Sequence, residues 1–146
     1  MVLDNLEPRS VFRFFEELCA IPHGSGNTKA ISDFCVEFAK SRGLEYHQDA
    51  LNNVIIIAPA APGYEDAAPL ILQGHLDMGC AKAPGCAKNM AVKGLDLVSD
   101  GEWLRADGTT LGADDGIAVA MAMAILTATT LPHPPLEVLI TSDEET

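Results

Sequence analysis

A chain of 146 residues with 48% hydrophobic and 21% charged side chains has the composition of an ordinary globular domain, or a large piece of one, which excludes disorder as its default state. Its 21 acidic against 9 basic residues leave a net charge of −12, which argues against nucleic acid or an anionic membrane as a partner, because both select a positive surface. The polar stretch Met1 to Ser10 is not of signal-peptide type, no run approaches the roughly 18 apolar residues of a membrane span, and Cys19, Cys35, Cys80 and Cys86 form no CxxC pair, so a cytoplasmic protein with reduced thiols is expected.

Val11 to Ala20 is expected as a helix, since Val11, Phe14, Phe15, Leu18 and Cys19 recur at helical spacing behind Ser10, a candidate N-cap. Ile21-Pro22-His23-Gly24-Ser25-Gly26-Asn27 breaks it. Thr28 to Arg42 is a second amphipathic helix, with Ile31, Phe34, Cys35, Phe38 and Ala39 on one face and Gly43 past its end. Leu44 to Gln48 and Asn53 to Ala58 follow as a strand pair. The β-branched run Val54-Ile55-Ile56-Ile57 reads as a strand buried on both faces. Pro69 to Gln73 is another apolar strand, stopping at Gly74-His75. Met78 to Asp100 is long and weakly patterned, and Gly101 to Leu104 opens a short strand. Asp115 to Thr129 is an Ala-rich helix, closed by Pro132-His133-Pro134-Pro135. Leu136 to Thr141 is a third buried strand and runs into Ser142-Asp143-Glu144-Glu145-Thr146. Helices alternating with apolar strands indicate an α/β sheet covered on both faces. Cys19 and Cys35 belong to apolar helical patterns and read as core, whereas Cys80 and Cys86 lie in a loop and their role stays open.

Three short motifs carry the chemistry. In Gly74-His75-Leu76-Asp77, His75 and Asp77 share a side of an extended backbone, where a carboxylate can fix the tautomer of a ligating imidazole. Taken alone, the pair reads equally as a loop histidine bonded to a local aspartate. In Leu111-Gly112-Ala113-Asp114-Asp115-Gly116, adjacent carboxylates precede a helix; either the helix N-terminus offsets their repulsion as an ordinary cap, or a cation does. In Asp143-Glu144-Glu145, neighbouring side chains face opposite ways, so one glutamate can bind a metal while the next meets its water; the plain alternative is a solvated acidic turn. Ligands of open α/β sheets gather beyond the carboxyl ends of the strands, so parallel strands ending at His75 and Thr141 would bring all three motifs to one rim. Imidazole and carboxylates without thiolate suit zinc, and also cobalt or manganese. No GxSxG elbow, phosphate loop or GxGxxG follows a strand, and neither loop cysteine has a local base.

Together, Gly74-His75-Leu76-Asp77-Met78, Gly108 to Ile117 and Glu144-Glu145 resemble the aminoacylase/carboxypeptidase G clan of dizinc peptidases. Within it the likeness is to aminoacyl-histidine (Xaa-His, carnosinase-like) dipeptidases, shared by Ile21 to Asn27, Gly101-Glu102-Trp103 and Pro135 to Leu139. The resemblance implies a three-layer α/β catalytic domain with a central mixed, mostly parallel sheet and helices on both faces. Residues 1–146 would be its N-terminal portion, cut before the second half and the lid or dimerisation domain, and the parent protein would be compatible with a homodimer. It implies two zinc ions, with His75 on one, Asp114 bridging both ahead of a cis Asp114–Asp115 peptide, and Glu145 on the other. Glu144 would be the general base for a metal-activated water and Asp77 would hold the His75 imidazole, in hydrolysis of small Xaa-His dipeptides. A sister activity on N-acyl amino acids would use the same residues, and a natural end at Thr146 would make the chain an inactive remnant or binding module. Another acidic ligand and a distal histidine are expected outside this stretch, since His133 sits between prolines ahead of a strand. The chain alone should therefore bind zinc weakly and show little or no activity. Isothermal titration with zinc checks this, and tight uptake of two ions would overturn it.

Overall fold

The computed structural model describes the chain from Met1 to Thr146. Helix α1 (Arg9–Cys19) begins ahead of the expected Ser10 cap, because Pro8 takes the extended N-cap position and the Glu7 carboxylate accepts from the Arg9 amide at 2.8 Å. Its apolar face, Phe14, Phe15, Leu18 and Cys19, is buried. Helix α2 (Lys29–Ser41) buries Ile31, Cys35, Phe38 and Ala39, and Phe14 meets Phe38 edge-on at 5.5 Å. Burial pushes the thiols of Cys19 and Cys35 up to about 12, so both are inert core groups.

Four strands form the main sheet: β1 (Glu45–Gln48), β2 (Val54–Ala58), β3 (Leu70–His75) and β6 (Leu136–Thr141), in the order β1-β2-β6-β3. A separate hairpin pairs β4 (Leu97–Ser99) with β5 (Leu104–Ala106), and α3 (Ala113–Thr127) crosses from it to β6. The main sheet is mixed, as expected, but it is not mostly parallel. β2 runs antiparallel to both β1 and β6, and only β3 and β6 are parallel. The connections explain this: a short turn joins β1 to β2, whereas β3 and β6 are separated by a crossover through α3, the connection that parallel neighbours require.

The expected helical cover on both faces is also corrected. On one face, Val54, Ile56, Val138 and Ile140 are buried in the same core as all three helices. The Gln48 amide reaches Ser32 of α2 from this face, a Cβ on Gly74 would touch Ala118 of α3 at 3.2 Å, and the Phe15 ring of α1 lies against Gly116 of α3. On the other face no element packs, so Ile55 is 37% and Ile71 60% exposed. The run Val54–Ile57 is therefore buried on alternate residues rather than throughout, and the layers within this chain number one of sheet and one side of helices.

This asymmetry separates two neighbouring isoleucines. Ile56 is fully buried, and Ile56→Ala should cost about 2–5 kcal/mol in chemical denaturation. Ile55→Ala, on the open face, should cost about 1 kcal/mol or less. Equal losses would show that both faces are covered.

Candidate metal centre

One βαβ unit brings the three motifs together. His75 is the last residue of β3 and pairs in register with Thr141, the last residue of β6, so both strands end at one rim. The ladder continues one step further, with the Leu76 amide donating to the Thr141 carbonyl at 2.8 Å. α3 starts at the same rim. Gly112 enters it with φ of +68°, and a Cβ there would lie 2.8 Å from Met78, so the close approach of the two segments requires glycine. Gly74 plays the matching part in β3, where a side chain would press on Asp115 and Ala118. The Asp114–Asp115 peptide is cis, as the resemblance implies.

The donor atoms of His75, Asp114 and Glu145 all lie within 4.8 Å of one another. His75 is 8% exposed on its side chain, and behind its ring only about 10 Å3 of space remains, between Phe15, Leu18, His23 and Val119. Its Nδ1–H donates to the Asp77 carbonyl at 2.9 Å. That bond leaves Nε2 aimed outward, 3.1 Å from Asp114 Oδ1 and 3.7 Å from Glu144 Oε2. Two acceptors facing each other at that distance need a cation or a proton between them. Burial works against a charged imidazole here. The Asp114 carboxylate, the Asp77 carbonyl, and the charges of Asp77 and Asp115 outweigh it and hold His75 above the usual histidine range.

The set also fits a divalent ion. Donors at zinc-ligand distances around a tetrahedral ion sit roughly 3.3 Å apart, close to the Nε2–Oδ1 separation of 3.1 Å. The ligand types are nitrogen and oxygen, with the imidazole tautomer already fixed. Asp114, at 86% side-chain exposure, and Glu144, at 60%, reach open space. No lysine or arginine forms an ion pair with Asp114, Asp115, Glu144 or Glu145, so within the protein their mutual repulsion is offset only by the His75 imidazole and the start of α3.

Asp77 sits beneath this exposed layer with its side chain fully buried. Oδ1 accepts from the Glu144 amide and Oδ2 from the Glu145 amide, each at 3.0 Å, and the Ser25 hydroxyl donates to Oδ2 at 2.7 Å. Oδ1 stands 3.4 Å from His75 Nδ1, farther than the main-chain carbonyl. Burial would raise the Asp77 pKa, but the donors from Glu145, Ser25 and Glu144 hold it below the usual carboxylate value. The sequence motifs single out Asp77 for its imidazole. Its grip on the two glutamate amides, and the contact with Ser25, connect residues up to 68 positions apart and leave no local signal.

Asp77→Asn would turn an NH2 group toward a backbone N–H that now finds an acceptor. A buried donor left facing another donor costs about 1–3 kcal/mol. Guanidinium unfolding of the metal-free chain should show that loss, and unchanged stability would remove Asp77 as the organiser of the glutamates.

No protein-family model matches the chain. It is 38% identical over 143 residues to the cytosol non-specific dipeptidase of Escherichia coli, across 98% of this chain and 30% of that protein. The crystal structure of aminoacylhistidine dipeptidase from Vibrio alginolyticus superposes with a TM-score of 0.95 at 38% identity, covering 99% of this chain and 29% of the other. A tripeptidase from Staphylococcus aureus shares the fold alone, with a TM-score of 0.75 at 22% identity, 96% of this chain and 38% of that one being covered. The chain thus spans about 30% of the length of the dipeptidases it matches. Over nearly all its residues the chain is similar in sequence and in fold to part of a cytosol non-specific dipeptidase and of an aminoacylhistidine dipeptidase.

Proposed function

We propose that this chain is the N-terminal portion of the catalytic domain of a cytoplasmic metallopeptidase that hydrolyses dipeptides, Xaa-His dipeptides among them. The observation that carries the reading is the convergence of His75, Asp114 and Glu145 donor atoms within 4.8 Å, at the sheet rim of a chain 38% identical to a dipeptidase. In this reading His75 and Glu145 would each hold one of two zinc ions, and Asp114 would serve both. Cobalt and manganese suit the same donors. Bound there, the ions would supply Lewis acidity to the scissile carbonyl and acidify water to near neutral pH.

The chain's own residues do the rest. Asp77 holds His75 through its carbonyl and holds the Glu144–Glu145 turn through its carboxylate. Glu144 pairs with no lysine or arginine, and its Oε2 lies 3.7 Å from His75 Nε2, beside the ligand cluster. It takes the proton of the attacking water at Oε2 and returns it to the leaving amine. The buried packing of His75 keeps the metal-facing nitrogen fixed while the exposed carboxylates admit substrate.

The test is an assay of a zinc-loaded protein of the relatives' full length carrying this sequence, against Xaa-His dipeptides and N-acetyl amino acids in parallel. Dipeptide turnover is expected, and turnover of the N-acetyl compounds alone would assign the sister activity instead. Glu144→Gln should lower kcat by about 10²–10⁴-fold with metal content unchanged, as loss of a general base does. His75→Ala should lower the metal content itself, measured by atomic emission. Full activity in Glu144→Gln would remove the base from the scheme.

A further inference from the structure

Ser25 lies far from the three motifs in sequence, in the break between α1 and α2, and the proposed reaction gives it no task. Its surroundings do. The segment His23–Thr28 is stitched to both halves of the metal centre. Toward β3, the Met78 amide donates to the His23 carbonyl and the Ser25 amide to the Met78 carbonyl, each at 3.1 Å. Toward the end of β6, the Gly26 amide donates to Asp143 Oδ1 at 2.7 Å, and the hydroxyls of Thr28 and Ser142 share a hydrogen bond of 2.6 Å. Thr28 occupies the N-cap position of α2 yet makes no cap bond. Its hydroxyl serves Ser142 and accepts from the Asn52 side-chain Nδ2 at 3.2 Å instead. A residue type strongly suited to capping is thus diverted to the acidic turn.

Ser25 closes this set. Among the side chains it is the one that donates to the Asp77 carboxylate at hydrogen-bond distance, at 2.7 Å, and the same oxygen accepts the Glu145 amide. The rotamer of Asp77 decides whether its two oxygens face the Glu144 and Glu145 amides together. With the Ser25 hydroxyl gone, that orientation would rest on the two amides it is meant to place. We infer that Ser25 is a positioning residue of the metal centre, acting through Asp77 to set where Glu144 and Glu145 stand, with Gly26 and Thr28 fastening the same turn. The functional half of this inference rests on the metal-centre reading above; the hydrogen-bond half does not.

The experiment uses a protein of the relatives' full length carrying this sequence, since the chain alone should bind metal weakly, and cobalt(II) alone as the probe. Amide hydrogen exchange by NMR without metal, and a cobalt titration followed by visible absorption, are compared for the native protein, Ser25→Ala, Ser25→Thr and Ser142→Ala. Ser25→Ala should speed exchange at the Glu144 and Glu145 amides, weaken cobalt binding by about 10–100-fold, and shift the visible spectrum as a carboxylate ligand moves. Ser25→Thr, which keeps a hydroxyl, should restore all three. Ser142→Ala leaves Asp77 untouched and should weaken binding less, so it carries the test if Ser25→Ala does not fold. A general loss of stability would not alter the spectrum of the folded, loaded protein. Cobalt bound by Ser25→Ala with native affinity and spectrum would overturn the inference. Failure of the native full-length protein to take up cobalt, with the exchange effect intact, would instead overturn the metal-centre reading and reduce Ser25 to a structural link.

Discussion

The site depends on one buried carboxylate. An ionised group removed from water is costly by several kcal/mol unless it is well bonded, and Asp77 has its side chain fully out of solvent. Its stability comes from donors supplied by separate stretches of chain: the Ser25 hydroxyl before α2, and the Glu144 and Glu145 amides after β6. The imidazole at the end of β3 stands beside it. Each donor is placed by the charge, and the charge is tolerable because of the donors. The arrangement therefore links three segments more stringently than apolar contact would, since a missing donor leaves a buried charge short of partners.

Sheet topology decides that these segments meet at all. β3, α3 and β6 form one crossover, and its two strands are parallel with His75 opposite Thr141. A parallel pair ends on one side, so the residues that follow β3 and β6 share a rim, and the helix between them must begin there. His75, Asp114 and Glu145 are the strand end, the helix start and the turn beyond the second strand of that unit. The remaining strands support it from the side: β2 completes the buried face and does not contribute to the site.

Much of this was legible in the residues. His75 and Asp77 at alternate positions, paired aspartates before an Ala-rich helix, and glutamates after an apolar strand each carry a local pattern, and their shared rim follows once the two strands are parallel. The boundaries of β6 matched because Pro135 and the polar turn after Thr141 bracket it. What was not legible depends on pairing across distance. The β-branched run of β2 is the same whether one or both of its faces are covered, and only the placement of α1, α2 and α3 on a single side shows that Ile55 stays open. Thr28 reads as a helix cap until Ser142, 114 positions away, takes its hydroxyl. Ser25 sits in a glycine-rich break, where a serine needs no special reason.

The burial pattern within the centre has its own logic. The groups that set geometry, His75 and Asp77, are buried, and the carboxylates that meet no lysine or arginine, Asp114 and Glu144, are exposed. Reversing that order would place several carboxylates without cations in low dielectric, where they would protonate rather than bind. Exposure leaves them open to solvent, and the backbone beneath keeps them close despite their repulsion. A rim of this kind sacrifices some stability of the empty fold to hold negative charge in register. A cation bound there would relieve it, because it would offset carboxylate charge and accept the lone pair that Asp77 has turned outward on His75.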